Sequence, residues 1–205
     1  ALNFEDAVYL LHERGKAMQN AVPVGAGAML AVLGLKTGEV NDFIAKEKNK
    51  IDICEIANDN ASGQVIISGN KKSIEIIQNS FKEQKIKTIP LKVSAPFHCS
   101  LMKNAAINMS EKIITSSFNK PNPSIISNVT AIEESDINKI KPLLIDQITS
   151  RVRWRESVNY MINNGVDNFL EIGPGKVLSG LVKKIKKDIK VVNINSIEDI
   201  KNDKF

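Results

Sequence analysis

The chain has 205 residues, 42% hydrophobic and 25% charged, a balance that suits a folded globular protein and gives no compositional case for disorder. Its formal charge of +5 is modest and lysine-led, and only 5% of residues are aromatic, so the makeup of a nucleic-acid groove is missing and an acidic protein partner fits better. The longest uncharged run, around residues 20–36, is broken by Pro23 and glycines and is too short for a membrane span, while the two cysteines, Cys54 and Cys99, lack the spacing of a metal site or disulfide scaffold and make a cytoplasmic, reducing setting the default.

In chain order, Asn3 followed by Glu5 and Asp6 predicts a helix start, with a helix to about residue 20. Phe4, Ala7, Val8, Leu11 and Met18 recur at helical spacing, Glu13 and Lys16 point to solvent, and the position of Arg14 stays open. Pro23 and Gly25 end the helix. The pattern then predicts strand 28–35, helix 39–48, strand 51–57, a turn-rich loop at 58–63, strand 65–68, helix 72–83 and strand 86–93. This βαββαβ order is that of the ferredoxin-like split unit and predicts a subdomain over 26–93 inserted into a larger body made of 1–25 and 94–205. Beyond it, Ser100 can cap a helix over 101–118. Strand 125–128, helices 139–150 and 156–163, strand 168–172, helix 176–186 and strand 191–194 follow. Strands alternating with helices predict an α/β fold whose larger part holds a parallel sheet.

Only His12 and His98 can carry protons near neutral pH. His12 lies inside an amphipathic helix, where a surface or packing role is the simpler reading. His98 lies in Ser94-Ala95-Pro96-Phe97-His98-Cys99-Ser100, between a strand end and a helix start, where open α/β sheets place their sites. Cys99 beside it invites a Cys–His reading. Sequence neighbours in extended backbone point to opposite faces, however, so Cys99 is read as a packing residue. Gly173-Pro174-Gly175-Lys176 matches neither phosphate-loop spacing and reads as a tight strand-to-helix turn. The lysine run over 183–187 reads as a solvated helix end, with docking of an acidic partner as the alternative.

Four stretches together resemble the malonyl-CoA:acyl carrier protein transacylases and, more broadly, the acyltransferase domains of polyketide synthases. They are Glu13-Arg14-Gly15-Lys16 with Met18-Gln19, Asn58 and Asn60 ahead of Gly63-Gln64-Val65, Pro96-Phe97-His98-Cys99-Ser100-Leu101-Met102, and Glu171-Ile172-Gly173-Pro174-Gly175-Lys176-Val177-Leu178. They stand in that family's order and spacing over nearly the whole chain. The resemblance implies a parallel-sheet, hydrolase-like core with the ferredoxin-like subdomain inserted.

It also implies ping-pong transfer of a malonyl group from malonyl-CoA, through an acyl-serine, to the phosphopantetheine thiol of acyl carrier protein in fatty acid synthesis, with no bound cofactor. His98 resembles the general base. Gln147 matches the residue whose backbone carbonyl orients that base, where other enzymes use a carboxylate. Arg14 resembles the arginine that pairs with the free malonyl carboxylate, a task suited to a guanidinium fork. Phe97 resembles the residue that crowds an α-methyl branch, and Met18, Asn58 and Asn60 fall with the substrate-binding positions. Lys87, Lys183 and Lys184 are expected to meet acidic carrier protein or CoA phosphates.

The chain departs from that family in one respect. No GxSxG nucleophile elbow occurs in it, and Ser62, Ser68, Ser94 and Ser100 stand in no such pattern. With Ala1 in place of a start methionine, the expectation is either the C-terminal two-thirds of an enzyme or a truncated product, inactive by itself in both cases. The alternatives are a polyketide-pathway trans-acyltransferase and a catalytically dead homologue that binds carrier protein or CoA.

Overall fold

A computed structural model describes residues 1–201. Asn3 starts α1 (Phe4–Gln19): its Oδ1 accepts the Asp6 N–H at 2.7 Å, and Glu5 and Asp6 occupy the turn where the helix dipole favours acids. The buried face of α1 differs from the stripe that the apolar spacing predicts. Leu10 and Met18 are buried, whereas Phe4 and Leu11 are 82% and 67% exposed. Arg14, four residues from each of the buried pair, therefore shares the inward face and is half-buried.

The next six elements are β1 (Gly27–Leu33), α2 (Thr37–Lys46), β2 (Cys54–Ala61), β3 (Gln64–Asn70), α3 (Lys71–Glu83) and β4 (Thr88–Pro90). They form one sheet in the order β2-β3-β1-β4 with every neighbouring pair antiparallel. Leu30, Val32, Cys54, Ile56, Val65 and Ile67 point to one face and pack with Val40 of α2 and Ile74, Ile77 and Phe81 of α3. Alternation sends Gly27, Met29, Glu55 and Ser68 to the opposite face.

The segment predicted as a loop over 58–63 is mostly strand. β2 runs through Asn58 and Asn60 to Ala61, and only Ser62 and Gly63, with φ +73° at the glycine, make the turn. Two register shifts against β3, around Asn58 and Asp59, absorb the irregular sequence. Buried Asp59 is held by Arg155 through three N–H···O contacts of 2.7–3.2 Å, so a turn-type composition is retained in a strand by a partner 96 residues away. The strand predicted over 86–93 shortens to β4.

After a 3-10 turn at Ser100–Met102 come α4 (Lys103–Thr115), β5 (Ile125–Ile126), β6 (Glu133–Glu134), α5 (Ile137–Asp146), α6 (Trp154–Asn163), β7 (Asn168–Ile172), α7 (Val177–Ile185), β8 (Lys190–Ile194) and α8 (Ile197–Lys201). α4 is shorter than the predicted helix 101–118 because the Ser116 hydroxyl bonds back to the Lys112 carbonyl and the chain turns extended. α5 starts two residues earlier than predicted, where Asp136 caps the Asn138 N–H, and ends at Asp146. β7 and β8 pair in parallel, and β5 and β6 antiparallel.

A second apolar cluster joins Leu10 and Met18 to Ala95, Met102, Ala105, Met109, Ile113 and Ile148. It fixes α1, the 94–102 loop and the end of α5 around one point. A third joins Val158, Val182 and Ile189. Among the described residues no helix is long and apolar enough to cross a membrane.

Candidate active site

His98 sits in the loop from Ser94 to Ser100, between Phe97, which packs against the second cluster, and buried Cys99. Its φ is +59°, in the left-handed region that a residue with a Cβ adopts at a cost of about 1–3 kcal/mol, and such positions concentrate at functional sites. Surrounding contacts hold it there: Pro96 and Cys99 are buried, the Cys99 thiol donates to the Pro96 carbonyl at 3.1 Å, and Gln19 of α1 donates to Ser94 Oγ at 2.7 Å.

The His98 Nδ1 lies 3.0 Å from the backbone carbonyl of Gln147, the residue that caps the C-terminus of α5. A carbonyl oxygen can only accept, so Nδ1 carries the proton in the neutral ring and Nε2 keeps its lone pair. Burial pushes the His98 pKa down, the Gln147 carbonyl opposes this, and the nearby Arg14 charge lowers it further. The ring is thus an unprotonated base at neutral pH.

The side chain of the same Gln147 reaches in another direction. Its Oε1 accepts from Arg14 Nη2 at 3.4 Å, a long contact. Arg14 has no carboxylate within ion-pair distance among the described residues, and burial lowers its pKa. A half-buried guanidinium with one long hydrogen bond has unfilled donors, which suit a carboxylate ligand.

Arg14, Met18, Gln19, Phe97 and His98 line a cleft of about 690 Å³. Exposed His12 lines the same cleft from α1. A larger groove of about 1010 Å³ between α1 and α4 is lined by Glu13, Lys16 and Lys112, whose charges already pair with one another. No histidine lines it.

The fold therefore brings Arg14, Met18, Phe97, His98 and Gln147 together. It does not bring Asn58 and Asn60 to the cleft: both lie on β2, where Asn58 bridges to Val152. Lys87 is exposed just before β4. The Lys183 ammonium bonds to the carbonyls of Ile189 and Lys187, and Lys184 donates to Gln64 Oε1 at 2.7 Å, joining α7 to β3. Cys99 is buried and its thiol is pushed up by that burial, in keeping with a packing role. The N-terminus of α7, which follows the Gly173–Gly175 turn, is already occupied. Glu171 accepts from the Leu178 and Ser179 N–H groups at 3.1 and 2.8 Å, leaving no empty anion cradle there.

No spacing signal pointed to the amide of Gln147 as a contact of Arg14, because the pair is 133 residues apart. Gln19 was visible only as a neighbour of Met18.

Comparison with known proteins bears on this site. The chain is 42% identical over 201 residues to the malonyl CoA-acyl carrier protein transacylase of Bacillus subtilis and 41% identical to that of Staphylococcus aureus, with 98% of the chain aligned in each case. It spans 63% and 65% of the length of these relatives. Among solved structures it matches the acyl-carrier-protein-S-malonyltransferase of Bartonella henselae at TM-score 0.93 and 40% identity, covering 98% of this chain and 64% of that one. It also matches, at TM-score 0.93 and 34% identity, a type II polyketide synthase acyl-carrier protein in complex with its malonyl-transacylase, covering 99% of this chain and 66% of that one. No family model matches. Over nearly all of its own length, the chain is a homologue of the malonyl CoA-acyl carrier protein transacylases.

Proposed function

We propose that this homologue of the malonyl-CoA:acyl carrier protein transacylases supplies the general base and carboxylate clamp of malonyl transfer, with the nucleophilic serine provided by residues outside these 205. The observation that carries this reading is the double use of Gln147, whose backbone holds the His98 imidazole while its side chain steadies Arg14.

The chemistry follows from that arrangement. The free Nε2 of His98 accepts the proton of a serine hydroxyl as its oxygen attacks the malonyl thioester carbonyl. The tetrahedral intermediate collapses to acyl-serine, and the departing CoA sulfur takes the proton back from the imidazolium. In the second half-reaction His98 takes the proton of the phosphopantetheine thiol of acyl carrier protein. The sulfur attacks the acyl-serine, and the proton returns to the serine oxygen. Arg14 binds the malonyl carboxylate through both half-reactions and disfavours acetyl groups, which would leave the guanidinium unpaired. Phe97, beside the base in the cleft, restricts branched acyl groups, and Met18 supplies apolar wall.

In this reading 26–93 is a ferredoxin-like subdomain and the remainder belongs to a hydrolase-like α/β core. The antiparallel β2-β3-β1-β4 order with two helices on one face supports the first, and the parallel β7–β8 pair the second. Exposed Lys87 remains a contact for acidic carrier protein or CoA phosphate. Lys183 and Lys184 join it only by exchanging their present carbonyl partners. Asn58 and Asn60 act on substrate only through β2.

A binding-only homologue is the second reading, favoured by the lack of a GxSxG elbow. None of the chain's serines is hydrogen-bonded to His98 among the described residues. The test is accumulation of malonyl carrier protein when the product of the native locus meets malonyl-CoA and holo carrier protein. Transfer that His98→Ala abolishes supports catalysis; tight carrier-protein binding with no transfer supports the second reading.

A further inference from the structure

The loop that carries His98 rests on the face of the small sheet turned away from α2 and α3, and three of its strands contribute a contact. From β1, Gly27 abuts Pro96 so closely that an added Cβ would lie 2.3 Å from the proline ring. From β3, the buried Ser68 hydroxyl donates to Cys99 Sγ at 3.6 Å. From β2, Glu55 takes both donors of Ser100: the backbone N–H at 3.0 Å and the hydroxyl at 2.5 Å.

The Glu55 contact differs in kind from the other two. It is a charge-assisted pair of bonds placed two residues beyond His98, where the chain enters the 3-10 turn that leads into α4. His98 must hold φ +59° between a buried Pro96 and this turn. A carboxylate that fixes the residue i+2 limits the backbone's return to the favoured regions. At the other end of the loop the Gln19–Ser94 bond does the same, but Gln19 also lines the cleft. Glu55 does not line it, and its charge is not among the causes of the His98 shift. Any effect of Glu55 on the base therefore passes through geometry.

We propose that Glu55 is a positioning residue for His98, through which the small sheet clamps the Ser100 end of the loop and keeps the imidazole against the Gln147 carbonyl. The role of the base rests on the malonyl-transfer reading, but the clamp itself does not. It assigns the inserted sheet a part in the chemistry: it is the platform on which the base is set.

The test is imidazole NMR on the full chain, which has only His12 and His98, with His12→Gln to assign the signals. In the parent, His98 should show a protected Nδ1–H and titrate below the ordinary histidine value of about 6.5. In Glu55→Ala that proton should exchange and the midpoint should climb toward about 6.5, because a freed ring regains water. Glu55→Gln, which keeps one acceptor oxygen but not the charge, should fall between the parent and Glu55→Ala. In parallel transfer assays on the native-locus product, kcat of Glu55→Ala should fall about tenfold to a hundredfold with little change in KM for malonyl-CoA.

If Glu55→Ala fails to fold, Ser100→Ala removes the hydroxyl bond alone and should move the same two signals in the same direction. A His98 signal and midpoint unmoved in the variant that folds would overturn the proposal. Displaced His98 signals together with a native-locus product that shows no transfer would remove the transfer reading and keep the clamp. Transfer by the parent with unmoved His98 signals would do the opposite.

Discussion

The backbone carbonyl of Gln147 lies 3.0 Å from Nδ1 of His98, and so the imidazole is oriented by a main-chain atom that no side-chain substitution at 147 deletes. The amide of Gln147 instead contacts Arg14. Gln147→Ala should therefore raise KM for malonyl-CoA more than it lowers kcat. Loss of one long hydrogen bond to a charged group is worth about 1 kcal/mol, or roughly fivefold. Steady-state kinetics check the split; a kcat collapse with unchanged KM would show that the side chain serves the base.

Arg14→Ala should cost about a hundredfold in kcat/KM for malonyl-CoA, because a carboxylate would then enter a half-buried cleft without its counter-charge. The same variant should narrow the gap between malonyl and acetyl transfer. Arg14→Lys keeps the charge but not the fork, and should recover only part of the loss. Competition between malonyl-CoA and acetyl-CoA measures this directly.

Burial and the Arg14 charge both lower the His98 pKa, against the Gln147 carbonyl. The acid limb of kcat/KM should accordingly lie below the ordinary histidine value of about 6.5, with a plateau through neutral pH. Arg14→Gln should move that limb upward. Stability follows the same sign. The unfolded chain takes up the His98 proton first as pH falls through about 6.5, so the folded state loses stability from there down through the folded pKa. Thermal unfolding of the parent and His98→Gln across pH 5–7 should diverge at the acid end.

Asp59 is 2% exposed and bound by the fork of Arg155, while the backbone of the same strand exchanges hydrogen bonds with Val152. Asp59→Ala should destabilise the protein by about 1–3 kcal/mol, less than for a fully buried pair because Arg155 keeps partial access to water. A thermal midpoint unchanged from the parent would mean that this junction contributes little to holding the small sheet on the core.

Local signals in the sequence were readable where one element decides its own fate. The Asn3 cap and the strand 168–172 stand where the pattern predicts, and the loop at 94–100 was marked by its place between a strand and a helix. Long-range chemistry was not readable. Arg14 lies on the inward face because α1 is rotated to bury Leu10 and Met18, and a polar residue inside an apolar stripe carries no periodic signal. Asn58-Asp59-Asn60 has the composition of a turn, yet it pairs as strand with β3 and bridges to Val152, while Arg155 neutralises the buried Asp59. Glu55 and Ser100, 45 residues apart, meet through the sheet face that supports His98. The family resemblance placed His98, Arg14 and Gln147 in roles, while the distances that join them are products of the fold.

The most direct test of the account is intact-mass analysis of the native-locus product after incubation with malonyl-CoA, followed by peptide mapping. The account predicts one malonyl adduct, on a serine outside these 205 residues, that holo carrier protein removes and that fails to form in His98→Ala. An adduct on a serine within the 205 residues, or one that forms equally well in His98→Ala, would contradict it.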